Sequence, residues 1–203
     1  MITLVQSKGG VGKTSTCVLL ADHFRHNTDE ETPKEWGLIT NDTSDLSLLF
    51  GKDYFVQVET MSDCPRGIGG ADSVLIDLAG RPDQNSERVI SDSGCVLIPV
   101  LPDRLSIEAG EYVASELWEV NDNIAVVAAM TTKEEKDQIE TRFQKNFPDL
   151  KVFRLRRSNK PQAIIGKQKW SGVQIEETPI LRYSWRGISD DIGFLADWTK
   201  EVS

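Results

Sequence analysis

Three glycines, Gly9, Gly10 and Gly12, and the lysine Lys13 mark the junction of an apolar run, Ile2 to Val5, with an amphipathic segment from Gly12 to about Arg25. The run reads as a buried strand and the segment as a helix. Gly9-Gly10-Val11-Gly12-Lys13-Thr14 is therefore the turn that joins them. Glycines allow dihedrals that bring several backbone N–H groups onto one point, and the helix that follows aims the positive end of its dipole there. The product is an anion cradle, and the residue types match a phosphate loop. Ser7 stands where the general pattern has its first glycine, and Gly12-Lys13-Thr14 completes it. Lys13 would reach the β- and γ-phosphates of a nucleotide, and the Thr14 hydroxyl would ligate Mg²⁺. Gly9, Gly10, Val11, Gly12 and Ser15 join Lys13 and Thr14 in the nucleotide-holding set.

The chain continues the same alternation. Leu38 to Thr40, Phe55 to Val58, Val74 to Asp77, Cys95 to Val100 and Ile124 to Met130 read as strands. Ile107 to Val120, Glu134 to Phe147 and Ile188 to Val202 read as helices, the second with Ile139, Phe143 and Phe147 at spacing four. Continuously apolar strands are buried on two faces, and helices between them supply parallel crossovers. The expected fold is α/β: a single P-loop nucleotide-triphosphatase domain over residues 1–203, with a mostly parallel sheet flanked by helices. Asn27 to Trp36 and Pro65 to Gly70 read as surface loops. No apolar run approaches the ~20 residues that span a bilayer. Cys17, Cys64 and Cys95 have neither metal nor disulfide spacing, and the first residues do not read as a secretory leader. A cytoplasmic protein is expected.

Val74-Leu75-Ile76-Asp77 is an apolar strand ending in a carboxylate. Some sixty residues after a phosphate loop in one α/β unit, that is Walker B geometry. Asp77 would lie beside Thr14 and hold Mg²⁺ through water, because this ion keeps much of its hydration shell.

With its second lysine, Lys8-Gly9-Gly10-Val11-Gly12-Lys13-Thr14 resembles the deviant Walker A loop of the ParA/MinD class of ATPases. Asp77-Leu78-Ala79-Gly80 looks like the switch segment of that class. Gly37-Leu38-Ile39-Thr40-Asn41-Asp42 resembles its apolar-Asp-x-Asp-Pro strand, with Thr40 in place of the first acid and Thr43 in place of the proline. Val96 to Asp103 and Leu105 to Gly110 resemble its next strand and helix. The likeness extends from Met1 to about Phe153, closest to small plasmid partition proteins. It implies ATP or ADP with Mg²⁺, an ATP-dependent homodimer, and slow hydrolysis stimulated by a centromere-binding partner. It implies Lys8 acting across the dimer on the partner's phosphates, and Asp42 orienting the attacking water. Thr131 and Thr132 stand where the class often has an adenine-contacting Asn.

Departures narrow the reading. The cysteines do not fit a nitrogenase-type cluster. The polar face of the last segment carries Asp190, Asp191, Asp197 and Glu201 against Lys200, which anionic lipid repels. Its apolar face, with Ile188, Ile192, Leu195 and Trp198, is expected to pack on the chain's own sheet, and no membrane partner is expected.

Net charge is −9, which by itself disfavours nucleic acid. Yet Lys151, Arg154, Arg156, Arg157, Lys160, Lys167 and Lys169 form a run with no acidic residue, leaving −16 for the remainder. Such asymmetry suggests a polyanion site. Arg154, Arg156, Arg157, Lys160, Lys167 and Lys169 are the candidate contacts to non-specific DNA, bound in a salt-sensitive way. The expected function is a partition ATPase of ParA type. The alternatives are a related ATPase that positions other cargo or serves conjugation, and a nucleotide-dependent interaction module that hydrolyses slowly or not at all.

Overall fold

Adjacent residues of the strands are buried on opposite sides, so each strand contributes to two cores. Leu4, Leu38, Leu75 and Leu97 join one core, while Val5, Ile39, Ile76 and Ile98 join the other. A computed structural model describes residues 1–26, 35–42, 47–50, 52–80, 84–158 and 179–202. Their strands are β1 (Ile2–Val5), β2 (Trp36–Thr40), β3 (Phe55–Gln57), β4 (Ser73–Leu78), β5 (Cys95–Val100), β6 (Ile124–Thr131) and β7 (Lys151–Arg156). They form one sheet of order β3-β2-β4-β1-β5-β6-β7, and every pair is parallel.

The helices are α1 (Lys13–His26), the single turn α2 (Ser47–Phe50), α3 (Gln84–Ser91), α4 (Arg104–Leu117), α5 (Lys133–Gln144) and α6 (Pro179–Val202). Cys17, Leu20 and Phe24 of α1 and Trp185, Ile188, Ile192 and Leu195 of α6 cover one face. Val89 and Ile90 of α3, Val113 and Leu117 of α4, and Ile139 and Phe143 of α5 cover the other. The last helix does pack on its own sheet, and Trp198 meets Phe153 of β7 with ring centroids 5.4 Å apart. Among the described residues no helix is long and apolar enough to cross a membrane.

Two helix starts are set by capping side chains. Asp103 accepts from Ser106 N–H at 2.9 Å, which begins α4 at Arg104, three residues before the apolar pattern does. Thr132 and Glu135 form a capping box that begins α5 at Lys133. Neither β7 nor α3 was expected from apolar runs. In β7 only Val152 and Leu155 are buried, and basic residues take three of the other four positions, Lys151, Arg154 and Arg156. Pro65–Gly70 is a loop as expected. Of the other expected loop, residues 27–34 lie outside the described residues, and Trp36 is not surface: it opens β2 and is buried, stacked on Phe24.

Parallel order makes the strands end together. β1 lies between β4 and β5, where successive crossovers run to opposite sides, and in such sheets the crevice at the carboxyl ends takes ligands. The glycine turn begins there.

Candidate nucleotide and metal site

The turn leaves β1 after Val5 and enters α1 at Lys13. Gly10 has φ +74° and Gly12 φ +91°, a region that side-chain-bearing residues rarely adopt. Lys13 folds back over the loop. Its ammonium donates to the Gln6 carbonyl at 3.3 Å and the residue is 9% exposed. Lys13 is therefore held over the concavity where an anion would sit.

The first turn of α1 brings Thr14 to the end of β4. Its hydroxyl donates to Asp77 Oδ2 at 2.5 Å. Asp77 is 1% exposed, and its other oxygen, Oδ1, is buried with no hydrogen-bond partner among the described residues. Burial pushes the carboxyl pKa up. The Thr14 bond and the Lys13 charge act in the opposite direction, and Asp42 adds to the rise. A buried carboxylate oxygen with no donor, beside a hydroxyl and a phosphate-type loop, is a fitting place for a hard divalent cation. Among the described residues no group of three His, Cys, Asp or Glu forms a metal cage. Mg²⁺ commonly needs none, since water and phosphate oxygens complete its shell.

Thr40, at the position of the missing first acid, is buried and joins two backbones. Its hydroxyl donates to the Asp77 carbonyl at 3.0 Å and accepts from Asp42 N–H at 2.9 Å. Asp42 is thereby carried to the same strand ends as Asp77, and its carbonyl accepts from Gln57 at 2.9 Å. Lys8 leans the other way. Its ammonium is 2.7 Å from Asp103 Oδ1, the carboxylate that caps α4. This contact, with the Ser106 N–H, holds the Asp103 pKa below the usual carboxylate range.

A cleft opens beside the loop, lined by Gly12, Ser15 and Thr16, by Leu19 of α1, and by Ala129 and Met130 at the end of β6. Leu155, Arg156, Ser158 and Ile188 complete it. Met130 has φ +55° at a register shift between Ala129 and Thr131, which leaves it 44% exposed. The two threonines at the expected adenine position are committed to structure. Thr131 donates to the Ala128 carbonyl, and Thr132 caps α5. Met130, Leu155 and Ile188 were not foreseen, because the cleft assembles from separate elements and carries no local motif.

The basic candidates divide. Arg156 meets Asp191 of α6 through Nε and Nη2, each at 2.8 Å, and through its own N–H at 2.9 Å. Arg154 adds a contact at 3.3 Å. Arg157 is 65% exposed, with its guanidinium 4.0 Å from Glu135. Lys160, Lys167 and Lys169 lie outside the described residues.

No protein-family model and no curated protein matches the chain. Solved structures do. MinD of Aquifex aeolicus is similar at 18% identity and TM-score 0.65, over 96% of this chain and 95% of that one. An ATP complex of McdA from Cyanothece is similar at 13% identity and TM-score 0.62, over 95% of each chain. A ParA-family ATPase of Chlorobium tepidum is similar at 11% identity and TM-score 0.64, over 98% of each. Likeness of this extent at so few identities is likeness of architecture, and the fold of this chain is that of the MinD and ParA class of P-loop ATPases.

Proposed function

We propose that the chain is a nucleotide-operated switch of ParA type, which binds ATP with Mg²⁺, pairs with a second copy and hydrolyses ATP slowly. The observation that carries this reading is Asp77, buried with one oxygen on Thr14 and the other without a donor, at the mouth of the glycine loop. Lys13 and the loop amides hold the β- and γ-phosphates, and the base enters the cleft between Met130, Leu155 and Ile188. Thr14 and Asp77 hold Mg²⁺, which when bound offsets phosphate charge. Asp42 orients the attacking water. Lys8 exchanges Asp103 for phosphate of the second copy, so a charge that is satisfied within one chain becomes available across the pair.

In the paired form the basic segment faces DNA. Arg154 and Arg156 already serve Asp191, so Arg157, Lys160, Lys167 and Lys169 carry the contact. Two copies add avidity, and a centromere-binding partner ends binding by stimulating hydrolysis. Arg157→Glu with Lys160→Glu is expected to weaken ATP-dependent DNA retention about tenfold or more near 0.1 M salt, because phosphate contacts dominate such binding. A filter or gel-shift titration with and without ATP measures this. Retention equal to that of the wild type would remove the segment from the interface.

Asp42→Ala is expected to keep ATP binding and pairing but to lose hydrolysis. Phosphate release at the wild-type rate would end the assignment of Asp42. A second reading is favoured by Thr40, whose hydroxyl is used on two backbones: ATP would build the pair and hydrolysis would be absent. Phosphate release by the wild type, with and without DNA, separates the two. A protein cargo replaces DNA in a further variant of the switch, since one structure of this fold is a MinC:MinD cell division complex from Aquifex aeolicus. In that case DNA retention is absent while nucleotide-dependent pairing remains.

A further inference from the structure

The paired ladder between β2 and β4 ends at Thr40 opposite Asp77. Beyond it the two chains remain joined by a side chain. The Ala79 N–H donates to Asn41 Oδ1 at 2.7 Å, and Asn41 Nδ2 approaches the Ala79 carbonyl at 3.5 Å. A carboxamide carries a donor and an acceptor on one plane, as a peptide does. Asn41 thus extends the ladder past the last strand residues, with the 2.7 Å bond as its stronger half. The tie is placed between two carboxylates of the site. Asp42 follows Asn41 directly, and Ala79 lies two residues after Asp77. With the Thr40 hydroxyl bridging the Asp77 carbonyl and the Asp42 N–H, three side-chain bonds shorter than 3.1 Å hold these segments together.

We propose that Asn41 is a positioning residue for hydrolysis, one that sets the Asp42 carboxylate against the segment following Asp77. The inference rests on reading the chain as a Mg²⁺-dependent ATPase. Asn41 belongs neither to the phosphate loop nor to the Thr14–Asp77 pair, so its loss leaves nucleotide affinity intact. It affects the step that depends on where the water is held. A misplacement of about 1 Å at a reacting centre can cost ~100-fold in rate.

The test compares steady-state phosphate release and thermal melting, with and without Mg-ATP, for the wild type, Asn41→Ala and Asn41→Asp. Asn41→Ala is expected to lower kcat about tenfold or more, with KM within about twofold and an unchanged rise in Tm on adding Mg-ATP. Asn41→Asp retains the acceptor for the Ala79 N–H and is expected to recover at least half of the lost rate. Asn41→Ser is too short to bridge the strands and makes the same comparison should the alanine variant fail to fold. An unchanged kcat overturns the proposal, as does equal loss of binding and turnover, or no recovery by the aspartate. Absence of phosphate release by the wild type, with or without DNA, overturns the ATPase reading and this role together. Wild-type release with an unaffected Asn41→Ala overturns the role alone.

Discussion

Without nucleotide, Asp77→Asn is expected to melt at a higher temperature than the wild type, and with Mg-ATP the order is expected to reverse. Asp77 is buried with one unpartnered oxygen, and burial is the largest influence on its pKa. The folded state therefore holds the Asp77 proton more tightly than the unfolded state. The contribution of such a group to stability is fully present below the ordinary value of 3.8 and is lost as pH rises through the raised folded value. At neutral pH the empty site carries that cost. Asparagine does not titrate and can still accept from Thr14. Its new N–H₂ is a buried donor, at a cost of about 1–3 kcal/mol, but a buried charge offset only by the Thr14 bond and the nearby Lys13 costs more. The advantage of the variant should thus appear as pH rises above about 4 and vanish in acid. A ligand that binds only the folded state at 100 times its Kd adds ~2.7 kcal/mol of stability. The wild type receives this from Mg-ATP and the variant loses most of it, with hydrolysis about 100-fold slower, equivalent to ~2.7 kcal/mol. Melting curves from pH 4 to 8, with and without Mg-ATP, decide. Equal stabilisation of both proteins by Mg-ATP would exclude Asp77 from the metal site.

What could be read beforehand was what is local. Glycines before Lys13 and a carboxylate after Ile76 declare themselves within a few residues, and continuous apolar runs mark strands covered on two sides. Long-range partners of charged groups do not show in this way. Arg154 and Arg156 look like part of a solvent-facing basic run, yet Asp191 receives both from a helix at the far end of the chain. Strand β7 was hidden by those same residues, since its buried positions are only Val152 and Leu155. Lys8 meets Asp103 from 95 residues away, and a lysine beside a turn gives no sign of that. Thr40 looks like the loss of an acid. In the folded chain it is a hydroxyl that both donates and accepts between two backbones, which a carboxylate could not do while ionised. The cleft was illegible because its lining comes from α1, β6, β7 and α6, which meet only after the sheet has formed.

The Asp191 cluster should dominate stability on the cleft side. Its carboxylate is 6% exposed and accepts from two guanidinium groups and a backbone N–H. Asp191→Ala is expected to destabilise the protein by about 3 kcal/mol. This is the lower end of the range for breaking a buried ion pair, because Arg154 and Arg156 are 27% and 37% exposed and regain water. At this chain length that is a fall in Tm of about 6–12 °C. Gly187 gives an independent test of the same geometry. A Cβ there would stand 1.9 Å from Arg156 Nη1, so the glycine lets the guanidinium cross the helix to reach Asp191. Gly187→Ala should therefore displace Arg156 and destabilise, but by less than Asp191→Ala, because Arg154 and the Arg156 N–H still reach Asp191. Once Arg156 is alanine the obstruction is gone, and helix propensity favours alanine over glycine by about 1 kcal/mol. The same substitution is then expected to stabilise. Urea melts of the four proteins in the Gly187–Arg156 cycle measure this reversal of sign. A cost for Gly187→Ala that persists in the Arg156→Ala background would show that the glycine serves another contact, and that the cluster depends on Asp191 without it.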